Sequence, residues 1–338
     1  MFQEILGVAT PIGGDTDFFA LGGDSLQAVH LLLSIRKKWQ RDPGLESLFT
    51  SPTVSGLAAM IESGVIDHRQ GLGPVIKLSE GDPSLPPVFV IHPAGGICWN
   101  YRELAHRFDP RRSVFGLQSP ERDPSRETPE SIESLAAEYS RRAIELAVNG
   151  PVHLVGWSVG GILAQAMAVR LHQLGRIVGE VVLLDAYPCE CWRAEPEPDP
   201  IAALRALLAI AGFDPDAHPE LNTRQKIIGF LRKGNSGLGN LPETVLDGVI
   251  RAVTGTIRLV RLHEHSKFVG RLLHLRAGRD HSTRSHLQSQ LWSPYAEDVE
   301  AMELPFLHAE LTGREASIVV ASILNERLHR RENLRGHQ

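Results

Sequence analysis

The chain has 338 residues, a formal charge of −5, 42% hydrophobic and 22% charged residues, which suits roughly two globular domains and argues against nucleic acid or an anionic membrane as partner. No apolar run reaches the roughly 20 residues of a membrane span, and no basic-then-apolar leader opens the chain, so a cytoplasmic location is expected. Three cysteines make no disulfide framework, the C-x-C step at Cys189 and Cys191 is too little for zinc, and no metal is expected.

Residues 1–65 read as short helices. After Asp24, the residues Leu26, Val29, Leu32, Leu33 and Ile35 recur at helix-face spacing, and Arg36, Lys37 and Lys38 fall in the last turn, where cations suit the helix dipole. Thr53 can cap a further helix carrying Leu57, Ala58 and Ile61. The polar, glycine-containing stretch 66–73 reads as a linker. From Pro74 the pattern becomes strand–helix alternation: strands at 88–91, 114–117, 152–155, 181–184 and 272–275, with helices at 131–148 and 161–174. Such alternation predicts a mostly parallel sheet covered by helices on both faces. Between Asp185 and Leu272 it stops, and helical segments near 201–211, 223–233 and 243–262 predict a helical lid over about 190–262, hinged at the acidic, proline-rich 195–200 and the glycine-rich 234–240.

Gly156-Trp157-Ser158-Val159-Gly160 lies between a strand and a helix, which is the context a G-x-S-x-G nucleophile elbow requires. Ser158 is therefore the candidate nucleophile. Two acids are available at strand ends. Asp185 follows its strand without a spacer and is preferred; Asp280 lies in the charged stretch Arg279-Asp280-His281 and reads otherwise as a solvated loop residue. The base should follow the acid in chain order. His308 sits between the last strand and the last helix, whereas His263, His265, His274, His281 and His286 read mostly as surface or lid residues. The loop His92-Pro93-Ala94-Gly95-Gly96 can present a backbone N–H to an oxyanion, with a second from Val159. His92 itself reads as structural. Ser25, at a helix start, is by itself either an N-cap or an acceptor for a phosphate-bearing arm.

The string Asp17-Phe18-Phe19-Ala20-Leu21-Gly22-Gly23-Asp24-Ser25-Leu26 closely resembles the core of peptidyl carrier domains of non-ribosomal peptide synthetases. From Pro74 to about Arg330 the chain resembles the type I thioesterase domains of those synthetases, on His92-Pro93-Ala94-Gly95-Gly96, Gly156-Trp157-Ser158-Val159-Gly160-Gly161, Leu183-Leu184-Asp185 and Leu307-His308. The resemblance implies a small all-α helical bundle (1–65), a linker (66–73) and an α/β-hydrolase fold with a helical lid insertion (74–330). It implies 4'-phosphopantetheine on Ser25, a triad of Ser158, Asp185 and His308, and oxyanion N–H groups from Ala94 and Val159. The implied partners are the carrier-bound peptidyl substrate, upstream condensation and adenylation domains, and a phosphopantetheinyl transferase. Met1 falls inside what should be the first carrier helix, so a fragment of a larger synthetase is expected. The implied activity is release of a peptide by hydrolysis or cyclisation; the alternatives are an editing or stand-alone esterase and a catalytically silent docking module.

Overall fold

The computed structural model describes residues 1–19, 21–23, 25–41, 48, 51–63, 73–120, 129–193, 200–233, 243–280 and 286–335. The first described helices are α1 (Phe2–Leu6), α2 (Ser25–Trp39) and α3 (Val54–Ser63). They close over a small core of Phe2, Phe18, Leu31, Leu32, Ile35 and Leu57. Edge-to-face rings at 5.3 Å join Phe2 to Phe18, and the loop of Phe18 is tied to the start of α3 by an N–H bond to the Pro52 carbonyl and a bridge between Asp17 and Thr53. The Thr53 hydroxyl caps α3 by accepting from Gly56 N–H at 3.0 Å, as its position suggests. The expected linker lies, apart from Gly73, outside the described residues, as do most of the first hinge and all of the second.

The rest is built on a sheet in the order β1-β3-β2-β4-β5-β6-β7 among the described residues, with β1 (Val75–Ser79), β2 (Val88–Ile91), β3 (Val114–Leu117), β4 (Val152–Trp157), β5 (Val178–Leu184), β6 (Phe268–Ala277) and β7 (Ala296–Leu304). Only β1 runs antiparallel to its neighbour. The central strands β2 and β4 are buried at every position, as their continuous apolar runs require when helices cover both faces. Period-two alternation then divides the core. Val88, Val90, Val155, Trp157, Val182 and Leu184 face one layer, and Phe89, Ile91, Leu154 and Leu183 the other. The first layer holds α4 (Arg102–Arg107) and α11 (Arg314–Arg335); the second holds α5 (Ile132–Leu146) and α6 (Val159–Gln173).

The expected parallel sheet is present, and two strands are added to it. In β1 only Ile76 is buried, and β7 (Ala-Glu-Asp-Val-Glu-Ala-Met-Glu-Leu) is buried only at its two ends. Both are edge strands: β7 is mostly polar, and the apolar residues of the short β1 do not alternate, so period-two reading does not find them. Between β5 and β6 come α7 (Cys189–Arg193), α8 (Pro200–Ile210), α9 (Arg224–Lys233) and α10 (Glu243–Leu262).

Candidate active site

The elbow is built by glycines. Ser158 sits at φ 58° and ψ −127°, a conformation that L-residues rarely adopt and that the surrounding chain must enforce. It is enforced because the turn is too tight for side chains: a Cβ at Gly156 would run into the Gly160 carbonyl, and one at Gly160 into the carbonyl of Ile91. Ser158 thus stands between the end of β4 and the first turn of α6, at the carboxyl end of the sheet, where parallel sheets place their sites.

Asp185 follows β5 directly, and its φ of 46° turns its side chain inward; Asp tolerates this region better than most residues. Asp185 is 4% exposed, and both of its carboxylate oxygens accept hydrogen bonds. His308 Nδ1–H donates to Oδ2 at 2.8 Å. Oδ1 accepts from the Tyr187 hydroxyl at 2.9 Å and from Ala277 N–H at 3.0 Å. With Nδ1 as donor, His308 keeps a lone pair on Nε2, the state a general base needs. Tyr187 is itself buried, and burial followed by the Asp185 charge raises its pKa far above the ordinary phenol range, so it stays a donor at any working pH. Tyr187 was missed from the sequence, although its position two residues after Asp185 was a usable signal.

The backbone around His308 is pinned on both sides. Trp157 Nε1–H donates to the His308 carbonyl at 3.0 Å, and the two rings lie 5.0 Å apart. The His308 N–H donates to the Asp280 carboxylate. Asp280 is therefore more than the solvated loop residue expected from its charged neighbours: it orients the backbone of the residue whose ring Asp185 holds. Among the described residues the Ser158 hydroxyl makes no hydrogen bond to His308; such bonds often form only when substrate closes the site.

Ala94 lies in the loop after β2 and Val159 at the first position of α6. Neither N–H is taken by another group among the described residues. The lid closes on this loop. Thr256 of α10 donates its hydroxyl to the Ala94 carbonyl at 3.4 Å, and a Cβ at Gly95 would stand 2.7 Å from Ile210 and 3.3 Å from Val249. A cavity of about 490 Å³ opens beside the pair of Asp185 and His308, with Tyr187, Trp192, Asp214 and Arg279 in its wall.

The other histidines lie elsewhere, and the expectation that they are mostly surface or lid residues needs correction for His263, His274 and, as argued below, His265. His274 and His263 are buried, at 0% and 5% exposure. His274 bonds Ser289 at 2.8 Å, and His263 bonds Glu133 at 2.6 Å at the far end of α10. Each fills a core position whose polar ring finds a partner, a placement local sequence does not reveal. His281 lies outside the described residues. His92 is buried between the Pro93 carbonyl at 2.7 Å and the Tyr139 hydroxyl at 2.8 Å.

Ser25 is the first residue of α2, whose opening turn carries no acidic side chain. Free N–H groups and the positive end of the helix dipole favour a phosphate ester there, and Gly22 at φ 91° makes the turn that leads into it. These residues fit a phosphate-linked arm.

Residues 86–224 match the Thioesterase domain family and residues 1–61 the Phosphopantetheine attachment site family. Over 331 residues, 97% of this chain, the sequence is 32% identical to the Dimodular nonribosomal peptide synthase of Bacillus subtilis (strain 168). The chain is a carrier–thioesterase didomain of the nonribosomal peptide synthetase kind. The didomain is also 26% identical over 332 residues to Enterobactin synthase component F of Escherichia coli (strain K12). It spans 14% of the first relative and 24% of the second. In fold it is similar to holo-AB3403, a four domain nonribosomal peptide synthetase bound to AMP and glycine, with a TM-score of 0.66 and 23% identity over 96% of this chain and 25% of that one. The Vlm2 thioesterase domain matches with a TM-score of 0.58 and 24% identity over 75% of this chain and 96% of that domain. The second part is a thioesterase domain, and the cofactor of the carrier is phosphopantetheine. No described helix is long and apolar enough to cross a membrane.

Proposed function

We propose that the didomain releases a peptide from its own carrier, with Ser25 as the attachment residue, Ser158 as nucleophile, His308 as base and Asp185 as the acid of the triad. The observation that carries this reading is the 2.8 Å bond from His308 to a buried Asp185, at the sheet end that also bears the elbow. Residues 1–65 would be the carrier, 66–73 the linker and 74–330 the hydrolase. The arm, when attached, supplies a thiol that holds the peptide as a thioester. Upstream condensation and adenylation domains would deliver that peptide, and a phosphopantetheinyl transferase would install the arm.

The chemistry follows from the residues. His308 Nε2 takes the proton of Ser158 as Oγ bonds to the thioester carbonyl carbon. Asp185 stays ionised and stabilises the imidazolium. The N–H groups of Ala94 and Val159 receive the oxyanion, each donor contributing about 3 kcal/mol where such donors have been removed. His308 returns the proton to the leaving group as the thioester bond breaks, and an ester on Ser158 remains. A second nucleophile, either water or an amine or hydroxyl of the peptide, then gives its proton to His308 and attacks the ester; the bond from the acyl carbon to Oγ breaks, and His308 returns the proton to Ser158. The lid and the cavity beside His308 shape which nucleophile reaches the ester.

Intact-mass spectrometry of the didomain loaded with a short peptidyl group tests the reading. The acyl mass should appear on Ser25, move to Ser158, and accumulate on Ser25 in Ser158→Ala. Acyl transfer that persists in Ser158→Ala, or arm attachment that persists in Ser25→Ala, defeats the assignment.

A further inference from the structure

Asp17 belongs to the carrier and Arg102 to the first turn of α4 in the thioesterase, yet they form one of the more buried ion pairs of the molecule. Arg102 Nη2 donates to Asp17 Oδ2 at 2.6 Å, with side chains only 8% and 17% exposed. The guanidinium also lies over the Phe19 ring, 4.2 Å from its centroid, a cation–π contact that gains strength from desolvation. His106, one turn along α4, brings Nε2 to 3.4 Å from the same carboxylate oxygen. Apolar packing continues without a break from Phe2, Phe18 and Leu31 to Tyr101, Leu104 and Ala105, where separate domains ordinarily form separate clusters.

Both halves of the contact are rigid within their own domain. The other oxygen of Asp17 accepts from Phe19 N–H at 2.7 Å, and the Asp17 backbone bridges to Thr53. The Phe19 ring meets Phe18, in the carrier core, edge to face at 5.2 Å. On the other side, Tyr101 precedes Arg102 and is locked behind the elbow. Its hydroxyl donates to the Ile91 carbonyl at 2.8 Å and accepts from Trp157 N–H at 2.6 Å. Trp157 is the residue before Ser158. The contact therefore ties the loop that leads to Ser25 to the catalytic end of the sheet. An arginine buried against a foreign domain is strongly unfavourable without its partner charge, so the pair selects this orientation over a merely apolar collision.

We propose that the Asp17–Phe19 corner of the carrier and the Arg102–His106 face of α4 form a specific dock, which holds the carrier at the rim of the catalytic end while its acyl group is transferred to Ser158. The proposal rests on delivery within one chain as read above. It requires the two residues to be complementary in charge, which charge reversal tests directly.

The experiment uses the full didomain as wild type, Asp17→Asn, Asp17→Lys, and Asp17→Arg combined with Arg102→Asp. Small-angle scattering of the arm-free protein reads the dock without catalysis. Single-turnover mass spectrometry of the loaded protein reads transfer from Ser25 to Ser158, and each rate is divided by that variant's rate on a soluble thioester. Arm loading at Ser25 reports that the carrier remains folded. The wild type should scatter as one compact particle. Asp17→Lys should expand it and lower the transfer ratio at least ~10-fold, with Asp17→Asn in between. The exchanged pair should restore compactness and bring the ratio within ~3-fold of wild type. Unchanged scattering and transfer in Asp17→Lys, or an exchanged pair as impaired as the single reversal, overturns the dock. Faster transfer in Asp17→Lys also overturns it, since the contact would then hold the carrier away. Scattering that responds as expected while no variant, wild type included, acylates Ser158 supports the dock and defeats the release reading instead.

Discussion

Two aspartates reach His308, and the chemistry of each contact separates them. Asp185 accepts the Nδ1 proton from inside the protein, with Tyr187 and Ala277 N–H holding its other oxygen. Asp280 accepts the backbone N–H of His308, not its ring. An amide at 185 cannot stabilise the imidazolium and can force the wrong tautomer. Asp185→Asn should therefore lower kcat on a thioester by ~10³–10⁴. Asp280→Asn keeps a carbonyl oxygen for the backbone N–H and should stay within ~10-fold of wild type. Steady-state kinetics on both variants checks the assignment, and the reverse ranking would transfer the acid role to Asp280. Position after an unbroken strand pointed to Asp185 from the sequence. What Asp280 does was not legible there, because its partner lies 28 residues away on another loop.

Among the elements, the lid is where helical periodicity succeeded and histidine reading failed. The segments expected near 201–211, 223–233 and 243–262 are α8, α9 and α10. His265, just beyond α10, is not a surface residue of that lid. It joins three elements: Nδ1–H donates to Gln165 of α6 at 3.0 Å, and Nε2 accepts Cys189 N–H of α7 at 3.1 Å. Burial, then the nearby His263 and Arg193, lowers its pKa from 6.5 to about 3. An unfolded chain binds a proton at this histidine below about pH 6.5, whereas the folded chain does so only near pH 3. The unfolded state thus holds more protons between those values, and stability falls as pH falls through that window, by at most ~1.4 kcal/mol per pH unit. Urea unfolding at pH 7.5, 6 and 5 should show this decline in the wild type and a flatter one in His265→Gln.

At the scale of the molecule, α11 is a strap across the sheet. Arg327 donates Nε–H to Glu180 of β5 at 2.8 Å and both terminal nitrogens to Glu300 of β7 at 2.8 and 2.9 Å. Glu180 is 5% exposed, so its charge depends on Arg327 and on Arg331, the other arginine that reaches it from α11. Removing one partner of a buried pair leaves a charge poorly compensated. Arg327→Ala should cost about 2–4 kcal/mol, read as a lower denaturant midpoint with an unchanged slope. The strap also explains how a polar edge strand such as β7 is held: its apolar content is low, and Arg327 and β6 supply what burial does not.

The sequence by itself determined the features that are local. A strand, a serine between glycines and a helix specify an elbow, because backbone geometry over five residues decides whether the turn can form. The string from Asp17 to Leu26 indicated a carrier through its resemblance to known carrier domains, since a serine at a helix start is by itself equally an N-cap, and continuous apolar runs specify central strands. Only the tertiary structure decided what pairs across distance. Asp185 meets His308 over 123 residues, Asp17 meets Arg102 over 85, and His263 and His274 are drawn into the core away from the elbow. Such meetings depend on strand order, on which edge each helix crosses, and on which charges can be buried together. No window of sequence encodes those relations, since the free energy that selects them belongs to the assembled core.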